Sequence, residues 1–343
     1  MDPPLDLHIT KWPNSNDDCW GLIEKLWAVA SPSTIPDKHI DLSAYSTYHK
    51  EQCLHALIDG SIHVLVEKHG NIVEIAKRIA EDRSRDDIRT FLSSKLKDPR
   101  PDNEIRAIDS SIDLTARLIS MMEFGELQYA FSGRKGLVWE AGTLKDSVHR
   151  QFSTPVVLGH DVKLEKMFNG RNLGRIAGIE IVWTDNLADH LRMSNEDREV
   201  AIFHHASFLK HQQWSLFPAG LIDDTLQTLA LLFPEADDDT TRWFNRQPTT
   251  LNIDRHLIKC GKLKGNERQI ERFTFWHDRL VVLKQTFDES RPTTLSQWWC
   301  DRRNGVQWYT FWVAILVLLL TVFFGLIQCL EGALQVYKAY HPS

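Results

Sequence analysis

The sequence predicts an α+β protein, mainly helical with a small central antiparallel sheet, followed by one C-terminal transmembrane helix. Three observations predict it. Apolar residues recur at helical spacing from Tyr45 to about Phe124; short β-branched and aromatic runs separated by glycines follow Gly125; and Val306 to Leu330 is 25 residues without a charged side chain. Apolar spacings of three and four mark one buried helix stripe, and alternation marks a half-buried strand. About 20 apolar residues suffice to cross the ~30 Å hydrocarbon core of a bilayer, and 25 make a helix of roughly 37 Å.

Residues 1–16, rich in Pro, Asp and Asn, are expected to be loose. A helical region follows over 17–131. Asp17 or Asp18 caps its first helix, whose buried stripe is Cys19, Leu22, Ile23, Leu26 and Trp27, and Ser31-Pro32-Ser33 with Ile35-Pro36 ends it. Leu54, Leu57 and Ile58 mark the next helix. Ile72, Ile75, Ala76, Ile79 and Ala80 mark another, and Ile88, Phe91, Leu92 and Leu96 a further one opened by Ser84-Arg-Asp-Asp87, which has capping-box chemistry. Asn103 to Met122 adds Ile105, Ile108, Ile112, Ile119 and Met122 on one face.

An α+β region is expected over 132–292. Leu137–Trp139, Val156–Leu158, Ile179–Trp183 and Val200–Phe203 read as strands of an antiparallel sheet, with Ile179, Ile181 and Trp183 on one apolar face. Asp223 or Asp224 caps a helix ending at Phe233-Pro234, Glu235 to Asp239 reads as a solvated acidic loop, and Ile270 to Phe287 as a helix or strand–helix. The juxtamembrane helix, 293–305, starts at Thr294-Leu-Ser-Gln297, a second capping box, and runs toward the span as one rod unless Asn304-Gly305 hinges it. The transmembrane helix itself is placed at 306–330, with a short tail over 331–343.

An aromatic belt flanks that span: Trp298, Trp299, Trp308 and Trp312 before it, Tyr337 and Tyr340 after it. Such rings, apolar with one polar atom, settle at headgroup depth. Arg302 and Arg303 precede the span and only Lys338 follows, so the positive-inside bias places the body in the cytosol. That is tail-anchor topology, and the long span favours endoplasmic reticulum or later secretory membranes. The acidic N-terminus has no apolar core of a signal peptide, and twelve asparagines make no N-x-[ST] sequon. Thr321, Gly325, Cys329 and Ala333 recur at steps of four, a ridge of small side chains suited to transmembrane pairing and hence to a homo-oligomer, with Gln328 beside it.

A net charge of -6 without a basic stripe argues against nucleic acid as a partner. Five cysteines with no C-x-x-C pair indicate neither a disulfide framework nor a zinc ribbon. The densest polar cluster is Asp185, Asp189 and His190 with His204, His205 and His211. Its residue types suit proton shuttling or a divalent metal, yet its spacing matches no metal motif, and capping Asp with partly buried His is the simpler expectation. His277-Asp278-Arg279 reads as a polar helix start. Ser132-Gly-Arg-Lys-Gly136 lacks phosphate-loop spacing, and no G-x-S-x-G or G-x-G-x-x-G is present. Neither a cofactor nor a metal is expected, and the balance leans away from an enzyme.

Gly178-Ile-Glu-Ile-Val-Trp-Thr-Asp-Asn-Leu-Ala-Asp-His-Leu191, Ile202-Phe-His-His-Ala-Ser-Phe-Leu209, Trp298-Trp-Cys-Asp-Arg-Arg-Asn304 and Trp308-Tyr-Thr-Phe-Trp-Val-Ala314 resemble a group of uncharacterised filamentous-fungal proteins with a single C-terminal anchor. The resemblance covers residues 130–343. It implies a fungal source and an accessory role, in secondary metabolism or in colony and hyphal-surface traits. The expected function is a membrane-anchored, cytosol-facing interaction or regulatory protein whose first partner is the lipid bilayer. The alternative is a membrane-tethered enzyme using a His/Asp site around 185–211.

Overall fold

A computed structural model describes all residues except 1–3, 14–15, 28–40, 59–63, 97–102, 126–135, 154–155, 160–161, 213–214, 293, 302, 304 and 341–343. The stop expected at Ser31 to Pro36, the segment Ser132 to Lys135, the 131/132 boundary, Arg302 and Asn304 lie outside the described residues. One continuous apolar core runs through the body from Ile9 to Phe287.

The helical region comprises α1 (Asn16–Leu26), α2 (Ser43–Ile58), α3 (His69–Ala80), α4 (Arg85–Lys95) and α5 (Glu104–Ser120). Because α1 begins at Asn16, Asp17 and Asp18 stand in its first turn rather than at its cap. The helix on which the region is built is α5, packed against α2, α3 and α4. Ile108, Ile112, Leu114, Ala116, Leu118 and Ile119 are all buried, so α5 is covered on more than one face. Its buried Ser111, Thr115 and Ser120 hydroxyls donate to carbonyls four residues back, at 2.6–2.9 Å, which removes the cost of burying them. Ile105, expected on the inner face, is exposed. In α2 the inner face is Tyr45, Tyr48, His49 and Cys53, while Leu54 is exposed. The Tyr45 and Tyr48 hydroxyls donate to the Leu118 and Arg117 carbonyls at 2.8 and 3.1 Å, pinning α2 to the end of α5. Ser84 caps α4 in a capping box with Asp87, as its sequence predicts.

Beyond α6 (Leu144–Gln151), Asn169 caps α7 (Gly170–Asn172), which loosens into a π-turn over Leu173–Ala177 and ends at Gly178 with φ 72°. The sheet follows: β1 (Glu180–Thr184), β2 (Arg192–Ser194) and β3 (Glu199–Phe203) in the order β1-β3-β2. The small central sheet is present, but mixed rather than antiparallel, because β1 pairs with β3 in parallel and only β2 with β3 is antiparallel. The chain crosses through a single turn at Leu187–Asp189 and returns by a tight hairpin in which Asn195, Glu196 and Asp197 take positive φ. Being central, β3 is buried on both faces, whereas β1 exposes Glu180 and Val182 and turns Ile181 and Trp183 inward. Leu137 makes one isolated bridge to Phe124, and 156–158 forms no strand because the Val157 and Leu158 N–H groups donate to the Asp278 carboxylate.

Among the described residues, the α-helices that complete the body are α8 (Ala206–His211), α9 (Leu221–Leu232), α10 (Asp238–Asn245) and α11 (His277–Glu289), with short 3-10 turns between α10 and α11. Gly220 at φ 88° precedes α9, so neither Asp223 nor Asp224 caps it; the Asp224 carboxylate instead accepts the Phe275 N–H at 2.6 Å. The acidic run is not a solvated loop, since Asp237 caps α10 and Asp239 pairs with Arg171 and Arg242.

Thr294 and Gln297 form the expected capping box at α12 (Leu295–Cys300). The chain then turns before α13 (Gly305–Tyr340), so the two helices are not one rod. Trp298 stacks on Phe311 with centroids 4.5 Å apart, and the Trp308 indole donates to the Trp299 carbonyl at 3.3 Å. Arg303 sits in the turn, bound to Asp301 and to the carbonyls of Phe287 and Ser290 at the end of α11. The 36 residues of α13 continue through Tyr340, so the segment after Leu330 is helical rather than a separate tail. Within α13, Trp308–Tyr337 is long and apolar enough to cross a membrane, and none of it is buried against the body.

Candidate functional site

Parallel pairing decides which polar groups meet. Thr184 lies beside Phe203 in the β1/β3 register, so the residues that leave the two strands, Asp185 and His204-His205, emerge side by side at their carboxyl ends. An antiparallel pairing would place Asp185 at the opposite end of β3, roughly 16 Å away at ~3.3 Å per residue.

Asp185 Oδ1 accepts from His205 Nε2 at 2.5 Å and lies 3.1 Å from His204 Nε2. The imidazoles are stacked, with centroids 4.0 Å apart, and both are buried, while the Asp185 side chain keeps 46% exposure. Both Nε2 atoms face the same carboxylate oxygen. The Asp254 N–H donates to His204 Nδ1 at 3.4 Å, which leaves the His204 proton on Nε2, directed at Asp185. Asp254 is itself buried and locked, accepting from the Ser207 N–H and hydroxyl and from the His256 N–H.

Burial would raise the Asp185 carboxyl, but the two imidazole N–H groups outweigh it and hold it well below the usual carboxylate range. Burial lowers His205 to about 4, the neighbouring His204 acts in the same sense, and Asp185 opposes both. The pair at neutral pH is thus a carboxylate facing a neutral imidazole. General acid–base work favours a pKa near the operating pH, and neither group supplies one. As a ligand set the arrangement is better suited: Asp185, His204 and His205 each offer one ligand atom, all within 4.8 Å of one another.

The remaining expected residues go elsewhere. His190 is fully buried, with Nε2 2.7 Å from the Thr228 hydroxyl, Nδ1 accepting the Phe203 N–H at 3.2 Å, and its ring edge-on to Trp276. Burial, then the charge of Arg279, lowers its pKa to about 3. Asp189 accepts from Asn186 and Arg192, and His211 Nδ1 donates to the Ser207 carbonyl at 2.6 Å. The neighbours that spacing did not reveal are Asp254 and, on α2, Glu51, whose pKa is raised first by burial and then by the charge of Asp185. No pattern in the chain links positions 51, 185, 205 and 254.

The membrane-facing candidates fall on two elements. Trp298 and Trp299 lie on α12, with Trp299 against Trp308 and Trp312 of α13, so the first belt is one aromatic cluster across the turn. Tyr337 and Tyr340 are exposed near the far end of α13, and Thr321, Gly325, Cys329 and Ala333 form an uncovered ridge along it. Comparison with models of known protein families, with curated protein sequences and with solved structures finds no match.

Proposed function

We propose that this chain is a membrane-anchored protein whose α+β body faces the cytosol and serves as an interaction or regulatory module. The observation that carries this reading is the Trp308–Tyr337 segment, 30 residues of apolar helix with none buried in the body. A soluble protein would hide such a surface, and so large an exposed apolar area calls for lipid or a partner. The orientation rests on Arg302 and Arg303 against Lys338, and the length favours endoplasmic reticulum or later secretory membranes. The body is joined to the span through α12, which packs on the π-turn at 173–177 and carries Cys300 2.8 Å from Arg175. Such a joint holds the body at a set attitude over the membrane instead of on a loose tether.

The test is protease protection of the full chain in microsomes, tagged at the N-terminus. The body and its tag should be digested from outside sealed vesicles while a fragment of α13 survives alkaline extraction; a protected body would reverse the orientation. The ridge at Thr321, Gly325, Cys329 and Ala333 belongs to the same reading as a helix-pairing seam between copies. Gly325→Leu should weaken self-association of the full chain in membranes, and unchanged association would remove the seam.

A second reading, a membrane-tethered enzyme, draws on the convergence of Asp185 with His204 and His205.

A further inference from the structure

We propose that Asp185, His204 and His205 form a binding site for a divalent first-row transition cation, held by one carboxylate oxygen and two imidazole nitrogens. The proposal stands on the body alone and is independent of which way the span is inserted.

The donor set is the first support. Two imidazoles and one carboxylate are borderline and hard ligands of the kind shared by zinc, iron, cobalt and nickel sites, and three protein ligands leave coordination positions for water or a further ligand. Geometry is the second. One ligand atom from each of Asp185, His204 and His205 lies within 4.8 Å of the others, and the 3.1 Å from Asp185 Oδ1 to His204 Nε2 is close to the separation of neighbouring ligands around one metal, whereas the 2.5 Å to His205 Nε2 is a hydrogen bond that must lengthen as an ion enters. The ring stack at 4.0 Å points both nitrogens the same way. Rigidity is the third: His204 and His205 leave the buried central strand, and both rings are excluded from solvent. Sites fixed on regular elements and shielded on their far side bind without the entropic cost of ordering loops. Access comes from Asp185, nearly half exposed at the end of the edge strand.

The electrostatics favour a cation. Three carboxyl groups stand at the site: Asp185 itself, Glu51 near enough for its charge and that of Asp185 to influence each other, and buried Asp254 behind the histidines. A divalent ion replaces the imidazole N–H groups as the counter-charge of Asp185. Protons balance as a tautomer exchange: the Nε2 proton of each ring moves to Nδ1 during a transient opening of these buried rings to water, so that the Nε2 lone pair reaches the metal. For His204 this exchange breaks the long, 3.4 Å Asp254 N–H contact and leaves two buried donors facing each other, a cost that the metal–ligand bonds must exceed.

The experiment uses the full chain in detergent micelles, stripped with chelator, dialysed and titrated with Co2+, whose visible d–d absorption reports its ligands. The expected result is a saturable band at one ion per chain, displaced by Zn2+, with a Zn2+-dependent rise in Tm. Because Asp185 is the exposed member, Asp185→Ala should fold, as near-ultraviolet circular dichroism would verify, yet bind Co2+ on the order of 100-fold more weakly or not at all, a loss at least as large as removal of an outer-shell partner. His205→Gln, which retains an N–H donor to Asp185, should keep the fold and lose the band. A folded wild-type chain with no saturable band overturns the site. So does an Asp185→Ala chain that binds with unchanged affinity, since the ion would then sit elsewhere.

Discussion

At the scale of single residues, burial keeps particular histidines of the body neutral, His190 and His49 among them. His190 illustrates how: Thr228 Oγ1 accepts from one ring nitrogen and the Phe203 N–H donates to the other, so the ring is satisfied as a neutral species and has no place for a second proton. His49 is likewise buried and lowered, first by desolvation and then by His69, whose ring centroid is 5.1 Å away. A histidine whose folded pKa lies below the unfolded value of ~6.5 takes up its proton on unfolding, so its contribution is complete above that value and drains away as pH falls toward the folded one. Asp224, raised to about 6 by burial, has the opposite sign: what it contributes is complete below the unfolded carboxylate value and is lost as pH rises through about 6. Urea unfolding followed by tryptophan fluorescence should show stability falling on acidification below about pH 6.5 through the histidines. His190→Gln should flatten that limb, whereas Asp224→Asn should raise stability near neutral pH relative to the acid side. His190→Ala, which leaves the Phe203 N–H and Thr228 unmet beside a cavity, should cost about 3 kcal/mol or more. A cost below about 1 kcal/mol would show the ring to be dispensable to the core.

At the scale of elements, two joints decide how the body is held. In the first, Gly170 opens α7 against the buried ring of Phe233; an added Cβ would lie 2.5 Å from the ring. Gly170→Ala should therefore lower stability by about 1–3 kcal/mol, measured as a shift in the urea midpoint, because Phe233 has no space to retreat. The second joint is the α12–α13 turn. Arg303 is part-buried there with Asp301 and spans the carbonyls of Phe287 and Ser290, so Arg303→Ala removes the counter-charge of Asp301, which keeps only the residue-303 N–H, and the guanidinium donor to the Ser290 carbonyl, while the Phe287 carbonyl keeps the Ser290 hydroxyl. Loss of about 1–2 kcal/mol is expected, together with faster proteolysis between α11 and α13. Unchanged proteolysis would mean that the tryptophan stacking alone holds the joint.

At the scale of the whole molecule, a body with one continuous core carries an apolar helix that contributes nothing to that core. Among the described residues, body and apolar helix are therefore separable in energetic terms and meet at the joint. The stability of the body should respond to pH and to the core variants above in the same way in micelles and in vesicles, whereas membrane retention should respond only to changes in α13. Replacing Leu318, Leu319 and Leu320 together by arginine should abolish alkali-resistant membrane association at about 2.5–3.5 kcal/mol per residue near the helix centre. Retention in spite of that change would point to a second membrane contact on the body.

Much of this was legible in the chain because local chemistry decides it. The capping boxes at Ser84 and Thr294, the stripes of α3 and α4, and the apolar length of α13 depend on residues within one or two turns, and periodicity records them directly. Three-dimensional context decided the rest. Glycine spacing and β-branched runs located β1 and β3 but carry no information on strand direction, which is set by the crossover that returns the chain through Leu187–Asp189 to the hairpin. Asp223 and Asp224 looked like caps because a cap is a local pattern; the long-range bond to the Phe275 N–H took Asp224 away. By itself the sequence determined a helical body, a small sheet and an apolar segment long enough to span a bilayer. Only the tertiary structure decided that β1 and β3 run parallel, and that direction brings Asp185 to His204 and His205 while leaving His190 in the core.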